Sequence, residues 1–367
     1  MIYFDNAATT RVSDTAAKAA LSAMTELYAN PSSAHAFGFE AEKALRAARA
    51  AVLAALGFTP SEGSLVFTGS GSEADNLALR GAAHALARRG KHIVISDSEH
   101  PAVENTAKDL EKEGFSVSRI STEGGKLDLD EARAVLTPDT ILVSCMAVNN
   151  ETGFANDVKR LYRLVKRKNP KTIVHIDAVQ GFLKVPLDGD LISISGHKIH
   201  ASKGIGALYI RKGIRISPLL AGGGQQKNLR SGTEPVELIA GLEAAVRAYH
   251  GTPEHFGALK AHLLDGLSAL GGITVNSGEN CVPNIVNFSV EGVRSEIMLH
   301  SLEEREIYVS SGSACSRGKT SGVLAAFGIP DKLADSAIRV SMCADTTEAD
   351  IDALIEGIRA GIARFRR

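Results

Sequence analysis

Residues 64–90 read SLVFTGSGSEADNLALRGAAHALARRG. Ser64 to Phe67 form a short apolar run of the kind that makes a buried strand, and Thr68 to Ser72 make a glycine-rich turn. From Glu73 onward apolar residues recur at helical spacing until Gly90 stops the pattern. The unit is a strand, a tight turn and an amphipathic helix. Further apolar runs follow at HIVIS (92–96), TILVSCM (140–146), TIVHID (172–177), LISIS (191–195) and GALYI (206–210), separated by amphipathic segments. This alternation, from about residue 40 to 245, predicts an α/β fold with a mainly parallel sheet covered by helices on both faces. Beyond about residue 250 the texture changes. A helix over 255–270 is followed by short strands at Ile285 to Val290 and Ala337 to Met342, and a last helix opens on the Thr347 and Asp350 capping pattern, which predicts a smaller α+β domain.

The chain has 367 residues, 44% of them apolar and 23% charged, enough for a large core and two domains. Lysine and arginine number 41 against 42 acids, and the net charge of −1 offers no footprint for direct contact with nucleic acid or an anionic membrane. A small or zwitterionic partner is expected instead. The opening MIYFDNAATT lacks a basic stretch followed by an apolar one, and no run approaches a membrane span, so the expected location is cytoplasmic. Cys145, Cys281, Cys315 and Cys343 are widely spaced without a C-x-x-C pair, so neither a disulfide framework nor a metal site is expected. There is no repeat, low-complexity block or long charge run.

In open α/β sheets ligands lie beyond the carboxyl ends of the strands, so the residues following each apolar run carry the chemistry. At Gly71 and Ser72 the free N–H groups of a helix start, with a hydroxyl beside them, make a phosphate cradle; Ser70 with Glu73 equally fits a capping box. Acids Glu73 and Asp75 are expected in that helix's first turn. Asp177, ending one strand, reads either as a helix cap or as the partner of a protonated pyridine nitrogen. Lys198, just past another strand end, is either salt-bridged or reactive, because an ammonium is costly to bury unpaired. A phosphate turn, an acid and a lysine at the ends of one sheet together match the needs of pyridoxal phosphate.

The segments FDNAATT (4–10), NPSSAH (30–35), SEHPAV (98–103), VNNETG (148–153), HIDAVQ (175–180), SGHKIHASKGIGALYIRKG (195–213), GGGQQKNLRSGTE (222–234) and SSGSAC (310–315) closely resemble those of NifS/IscS-type cysteine desulfurases. These enzymes fall within the class V aminotransferases of pyridoxal-phosphate fold type I, and the resemblance runs from about residue 2 to 350. It implies a large domain over 15–249 with a mainly parallel seven-stranded sheet, and a small domain from 1–14 and 250–367 carrying the catalytic-cysteine loop. It also implies pyridoxal 5′-phosphate held as a Schiff base by Lys198, with Asp177 on the ring nitrogen, Gln180 on the ring hydroxyl and His100 stacked on the ring and assisting proton transfer. Gly71, Ser72, Ser195 and His197 would bind the phosphate, and Thr233 would reach in from a second subunit of a homodimer. Asn149, beside the cofactor, and Arg339 would hold the substrate carboxylate. Taken without the resemblance, His100 reads as a surface histidine, Asn149 as a turn residue and Arg339 as a salt-bridged strand residue.

By the same resemblance Cys315 takes sulfur from L-cysteine as a persulfide, leaving L-alanine, for an acceptor protein of iron–sulfur assembly, tRNA thiolation or nitrogenase-cluster machinery. The run from Ser310 to Gly322 is small and polar, suited to a mobile surface loop, and Arg317 and Lys319 favour a thiolate. Cys145 and Cys343, in apolar runs, read as core. The chain departs from the family in a shorter run from Cys315 to Val323-Leu324, in Gly71-Ser72 where Ala-Thr is commoner, and in ending at Arg366-Arg367 without the extended tail some members use to dock a scaffold. Two other readings stand beside this one: a selenocysteine lyase or small-molecule aminotransferase, and a catalytically idle scaffold with the same fold.

Overall fold

The computed structural model describes residues 1–311 and 321–366. Seven strands, β2 (Gly63–Thr68), β3 (His92–Ser96), β4 (Ser116–Ile120), β5 (Thr140–Met146), β6 (Ile173–Asp177), β7 (Leu191–Ser195) and β8 (Gly206–Arg211), form one sheet in the order β2-β8-β7-β6-β5-β3-β4. Pairings from β7 through β6, β5 and β3 to β4 are parallel, and β8 runs antiparallel to both its neighbours. The expected parallel sheet is therefore present with one reversed strand. Its cause is local. Only a turn over Gly196–Lys198 and a short loop separate β7 from β8, with no crossover helix to carry the chain back.

Helices cover both faces because the strands bury both. Leu65 and Phe67, Val143 and Cys145, and Ile192 and Ile194 join one apolar cluster, while Val66, Ile141 and Leu191 join the opposite one. The first cluster packs under α1 (Asp14–Glu26), α2 (Ala36–Ala55), α5 (Leu129–Val135), α6 (Val158–Lys168) and α7 (Val236–Ala248), the second under α3 (Gly71–Leu86) and α4 (Pro101–Lys112). Strand β4 has no apolar run, for its burial is partial: as an edge strand it shows one side to water.

The remainder has its own core. β9 (Ile273–Val275), β10 (Ile285–Val290), β12 (Ser310–Ser311) and β13 (Ala337–Ser341) form an antiparallel sheet ordered β12-β13-β10-β9. It packs against α8 (Pro253–Ser268), α9 (Ser295–Glu303) and a C-terminal helix, Glu348–Phe365, opened by a Thr347–Asp350 capping box. The N-terminus belongs to this body in space: β1 (Ile2–Tyr3) pairs with β11 (Ile307–Tyr308), and Phe4 is buried in the same cluster. Residues 5–10 then cross to the large sheet. Among the described residues no helix is long and apolar enough to cross a membrane, and no group of His, Cys, Asp and Glu could hold a metal.

One buried acid fastens α6 to the sheet. Asp190, 1% exposed, accepts from Val174 N (2.9 Å) and Tyr162 Oη (3.2 Å) and pairs with Lys166. Asp190→Ala removes the acceptor of Val174 N and Tyr162 Oη and the charge partner of Lys166, and is expected to cost about 3–5 kcal/mol of unfolding free energy, measured by chemical denaturation at neutral pH.

Candidate active site

Strands β7, β6, β5 and β3 are neighbours in the sheet, and their carboxyl ends deliver Lys198, Asp177, Asn149 and the Glu99–His100 pair to one edge. Lys198 ends the turn after β7, and its Nζ donates to the carbonyls of Ala7 (2.6 Å) and Ala8 (2.7 Å). Gln180 Nε2 donates to the same Ala7 oxygen at 2.8 Å. Residues 5–10 thus lie across the sheet edge, held from the other side by Ser341 Oγ, which accepts from Ala7 N at 2.8 Å. Burial first, and then the Arg339 charge, lower the Lys198 ammonium to about 8, against the pull of Asp5 and Asp177. A substantial neutral-amine fraction is therefore present near neutral pH.

Asp177 is 4% exposed, and its Oδ1 accepts from Val179 N at 2.9 Å, the local turn bond of the cap reading. Burial raises its pKa, opposed by that bond and by the nearby charges of His100 and Lys198. His100 is no surface histidine. It caps α4 through Nδ1, which accepts from Ala102 N at 3.1 Å, and burial lowers its pKa. His197, beside Thr9 Oγ1 (3.2 Å), is pushed down to about 4 by burial and then by Lys198 and Lys203, so it is a neutral imidazole.

The phosphate turn shows half of the capping box. Ser70 Oγ accepts from Glu73 N (3.0 Å), but Glu73 reaches Gly69 N (2.8 Å) and pairs with Arg230. Ser72 is exposed in the first turn of α3. A Cβ on Gly71 would stand 2.6 Å from Val179 Cγ2 and 3.1 Å from Ser195 Cβ, so only glycine lets the start of α3 approach the ends of β6 and β7 this closely. Ser195 Oγ, in that crevice, is buried without a hydrogen-bond partner.

Asn149 and Arg339 show their local roles. Asn149 Oδ1 accepts from Glu151 N (2.9 Å) and Thr152 N (3.0 Å), and its Nδ2 donates to Ser98 O (3.3 Å). Arg339 donates to Asn150 O (2.9 Å) and to Asp5 Oδ1 (2.6 Å), while its Nε is buried without a partner. Thr233 is exposed and lines a separate cavity of about 480 Å³ with Met24, Tyr28 and Asn30. Cys315, with Arg317 and Lys319, lies outside the described residues. Cys145 is buried as expected, but Cys343 is half-buried and lines a cavity rather than the core.

Four participants are not singled out by sequence reasoning: Ala7, Ala8, Asp75 and Glu99. Ala7 and Ala8 act through carbonyls, which no side-chain pattern reports. Asp75, expected at the helix start, lies in the second turn of α3 and is 1% exposed. Glu99 is 6% exposed, and its Oε1 accepts from Ser96 Oγ and Met146 N. Burial, then Asp177 and Glu99, raise the pKa of Asp75, and burial with Asp177 lifts Glu99 to about 8; Asp75 Oδ1 and Glu99 Oε2 lack hydrogen-bond partners. His175 brings no charge to balance them. It is buried between Ser144 and Ser193 and pushed down to about 3 by burial.

Comparison with known proteins places this edge in context. The chain matches the family described as Aminotransferase class-V over residues 2–354. The chain belongs to that family. All of it aligns, at 42% identity, with 94% of a cysteine desulfurase of Trichormus azollae, and at 40% with 93% of the cysteine desulfurase IscS of Vibrio vulnificus. Among solved structures it resembles a NifS-like protein (TM-score 0.91, 37% identity, 99% of each chain covered). It also resembles SspA in complex with cysteine (TM-score 0.83, 31% identity, 94% of this chain and 99% of that one). These relatives place it in the NifS/IscS-type cysteine desulfurase branch of the class V family. For pyridoxal phosphate the donors present fit: an unpartnered buried hydroxyl at Ser195 beside a helix start kept open by Gly71, a buried acid at Asp177 and a half-buried lysine.

If Glu99 is neutral in the fold, its raised pKa makes wild-type stability fall as pH climbs from about 4.5 to about 8, since the unfolded chain releases the proton first. Glu99→Gln removes that component, up to about 1.4 kcal/mol per pH unit, and denaturation curves across this window should be flatter in the variant.

Proposed function

We propose that this protein is a pyridoxal-phosphate-dependent cysteine desulfurase. It converts L-cysteine to L-alanine and passes the sulfur, carried as a persulfide on Cys315, to an acceptor protein of iron–sulfur cluster assembly or tRNA thiolation. The observation that carries the reading is the meeting of Lys198 and Gln180 on the Ala7 carbonyl beside the buried acid Asp177, in a chain of this family. We read residues 15–249 as the large domain, and 1–14 with 250–367 as the small one.

Lys198 would hold the cofactor, with Asp177 against the ring nitrogen, Gln180 at the ring hydroxyl, and Gly71, Ser72, Ser195 and His197 at the phosphate. His100 would stack on the ring and assist proton transfer, with Asn149 beside it. When bound, the cofactor supplies an electron sink for charge developing at the substrate Cα. Asp177, as a carboxylate, would accept a hydrogen bond from the ring nitrogen and keep that nitrogen protonated. Lys198, lowered to about 8, has the neutral fraction needed to take the Cα proton near neutral pH. Arg339 grips the substrate carboxylate. Cys315 thiolate attacks the substrate sulfur: an S–S bond forms, the Cβ–S bond breaks with its electron pair left on carbon, and a proton there completes the methyl group of alanine.

The assembly would be a homodimer. Leu21 (61% exposed), Met24 (53%) and Tyr28 (72%) stand out from α1 and the turn after it, beside Thr233, so a two-fold partner covering this patch would carry its Thr233 toward the first chain's phosphate site.

Lys198→Ala should lose the visible absorbance band that the cofactor acquires on binding. Cys315→Ala should keep that band and yield neither persulfide nor alanine from L-cysteine. Normal product from the second variant would reject the thiol's role, and turnover of L-selenocysteine or a 2-oxo acid in preference to L-cysteine would favour the lyase or aminotransferase reading. Met24→Glu should shift the sedimenting species from dimer to monomer.

A further inference from the structure

The net charge of −1 conceals a strongly basic face on α6. The helix reads VKRLYRLVKRK, six cations in eleven residues with no acid. Lys166, Arg167 and Lys168 in its last turn suit the helix dipole, and Lys166 is spent on Asp190. Lys159 and Arg160 do not: they occupy the first turn, where the dipole opposes positive charge, and only the N-cap Asp157, whose Oδ1 accepts from Arg160 N at 2.9 Å, offsets them. Arg160, Arg163 and Arg167 are exposed, have no ion pair among the described residues, and lie in one row, Arg160 to Arg163 at i,i+3 and Arg163 to Arg167 at i,i+4, repelling one another.

The row is one wall of a groove. With Arg133 of α5, Leu164 and Lys168, these arginines enclose about 430 Å³ of open concavity. Leu164 is half-buried and supplies an apolar patch between the guanidinium groups. Arg133 has a partner, Asp130 at 3.5 Å, but that acid is 92% exposed and holds it weakly. The arginine row extends over about 10 Å of helix, the spacing of carboxylates at i, i+3 and i+7 on a facing helix.

We propose that this groove docks an acidic, amphipathic segment of a partner protein. Its carboxylates pair with Arg160, Arg163 and Arg167, and an apolar side chain of the segment rests on Leu164. Two features favour a polypeptide over a nucleic-acid strand. The apolar floor gives a phosphodiester nothing to bind, and Asp130, 3.5 Å from Arg133 in the groove wall, sets an acid against a continuous anionic backbone. The surface stands apart from Lys198 and its neighbours and extends beyond the proposed desulfurase reaction.

The test uses the full-length protein and the double variant Arg160→Glu with Arg163→Glu. Arg160→Glu puts an acid in the first turn, where the helix dipole favours it, and Arg163→Glu changes an exposed mid-helix position, so α6 is expected to remain folded. Fluorescence anisotropy of labelled poly-L-glutamate at moderate salt should show saturable binding to the wild type, at least about tenfold weaker in the variant. L-Cysteine turnover, measured in both, should be the same, which separates this surface from the catalytic reading. Equal poly-L-glutamate binding by the two proteins would overturn the proposal. So would tighter binding of tRNA, or of phosphatidylglycerol vesicles, that the double variant abolishes at the same ionic strength.

Discussion

A carboxylate at the inner end of a buried strand is expensive, and at Asp177 it is accompanied by two further acids. Glu99 and Asp75 share its surroundings, and the buried His175, held between two serines and pushed down to about 3, adds no charge. Burial makes negative charge costly there, and for Asp75 and Glu99 it shifts the balance toward the protonated acid. Asp177 is the one placed to keep the charge. It accepts a backbone N–H and feels Lys198 and His100, whereas Asp75 and Glu99 each leave an oxygen unpartnered. Much of the edge follows from that choice: a lysine within electrostatic reach, a helix start brought close by Gly71, and neutral histidines that add no competing charge.

The parts of the fold most legible in the sequence are those buried on both faces. Strands β3, β5, β6 and β7 are nearly continuous apolar runs because water reaches neither side, and each was readable within a residue or two. Strand β4 was not, since a partly exposed edge strand can carry Ser116, Ser118 and Arg119. The reversal of β8 was also hidden: GALYI packs equally well in either direction, and only the short span from Ser195 to Gly206 bears on it. The basic face of α6 vanished into a whole-chain charge balance. Net charge is a sum, while a groove responds to the charges within a Debye length of it.

For the site, the strand-end residues Asp177 and Lys198 stood out because polar groups at the ends of apolar runs need a reason. Their partners did not, because Ala7 and Ala8 contribute carbonyl oxygens from far away in the chain. The local readings of Asn149 and Arg339 describe the ligand-free chain well: a buried polar group that awaits a ligand must still be satisfied by something, and the nearest turn or acid serves. His100 is the opposite case. A polar neighbourhood in the sequence suggested exposure, but capping α4 draws it into the edge of the sheet.

Arg339 shows how such a stand-in can give way. Its Nη2 is taken by Asp5 and its Nε, buried, has nothing. An arriving carboxylate that used Nε and Nη2 together would satisfy the orphan and displace Asp5, whose side chain, 24% exposed against 5% for Arg339, is the member of the pair that water can receive. Filling a buried unsatisfied donor is worth about 1–3 kcal/mol, whereas releasing a carboxylate toward solvent returns part of its hydration, so the exchange would favour an arriving carboxylate. The Asp5–Arg339 pair, which reads as a structural salt bridge, would then also keep the guanidinium aimed and paired until a carboxylate replaced it.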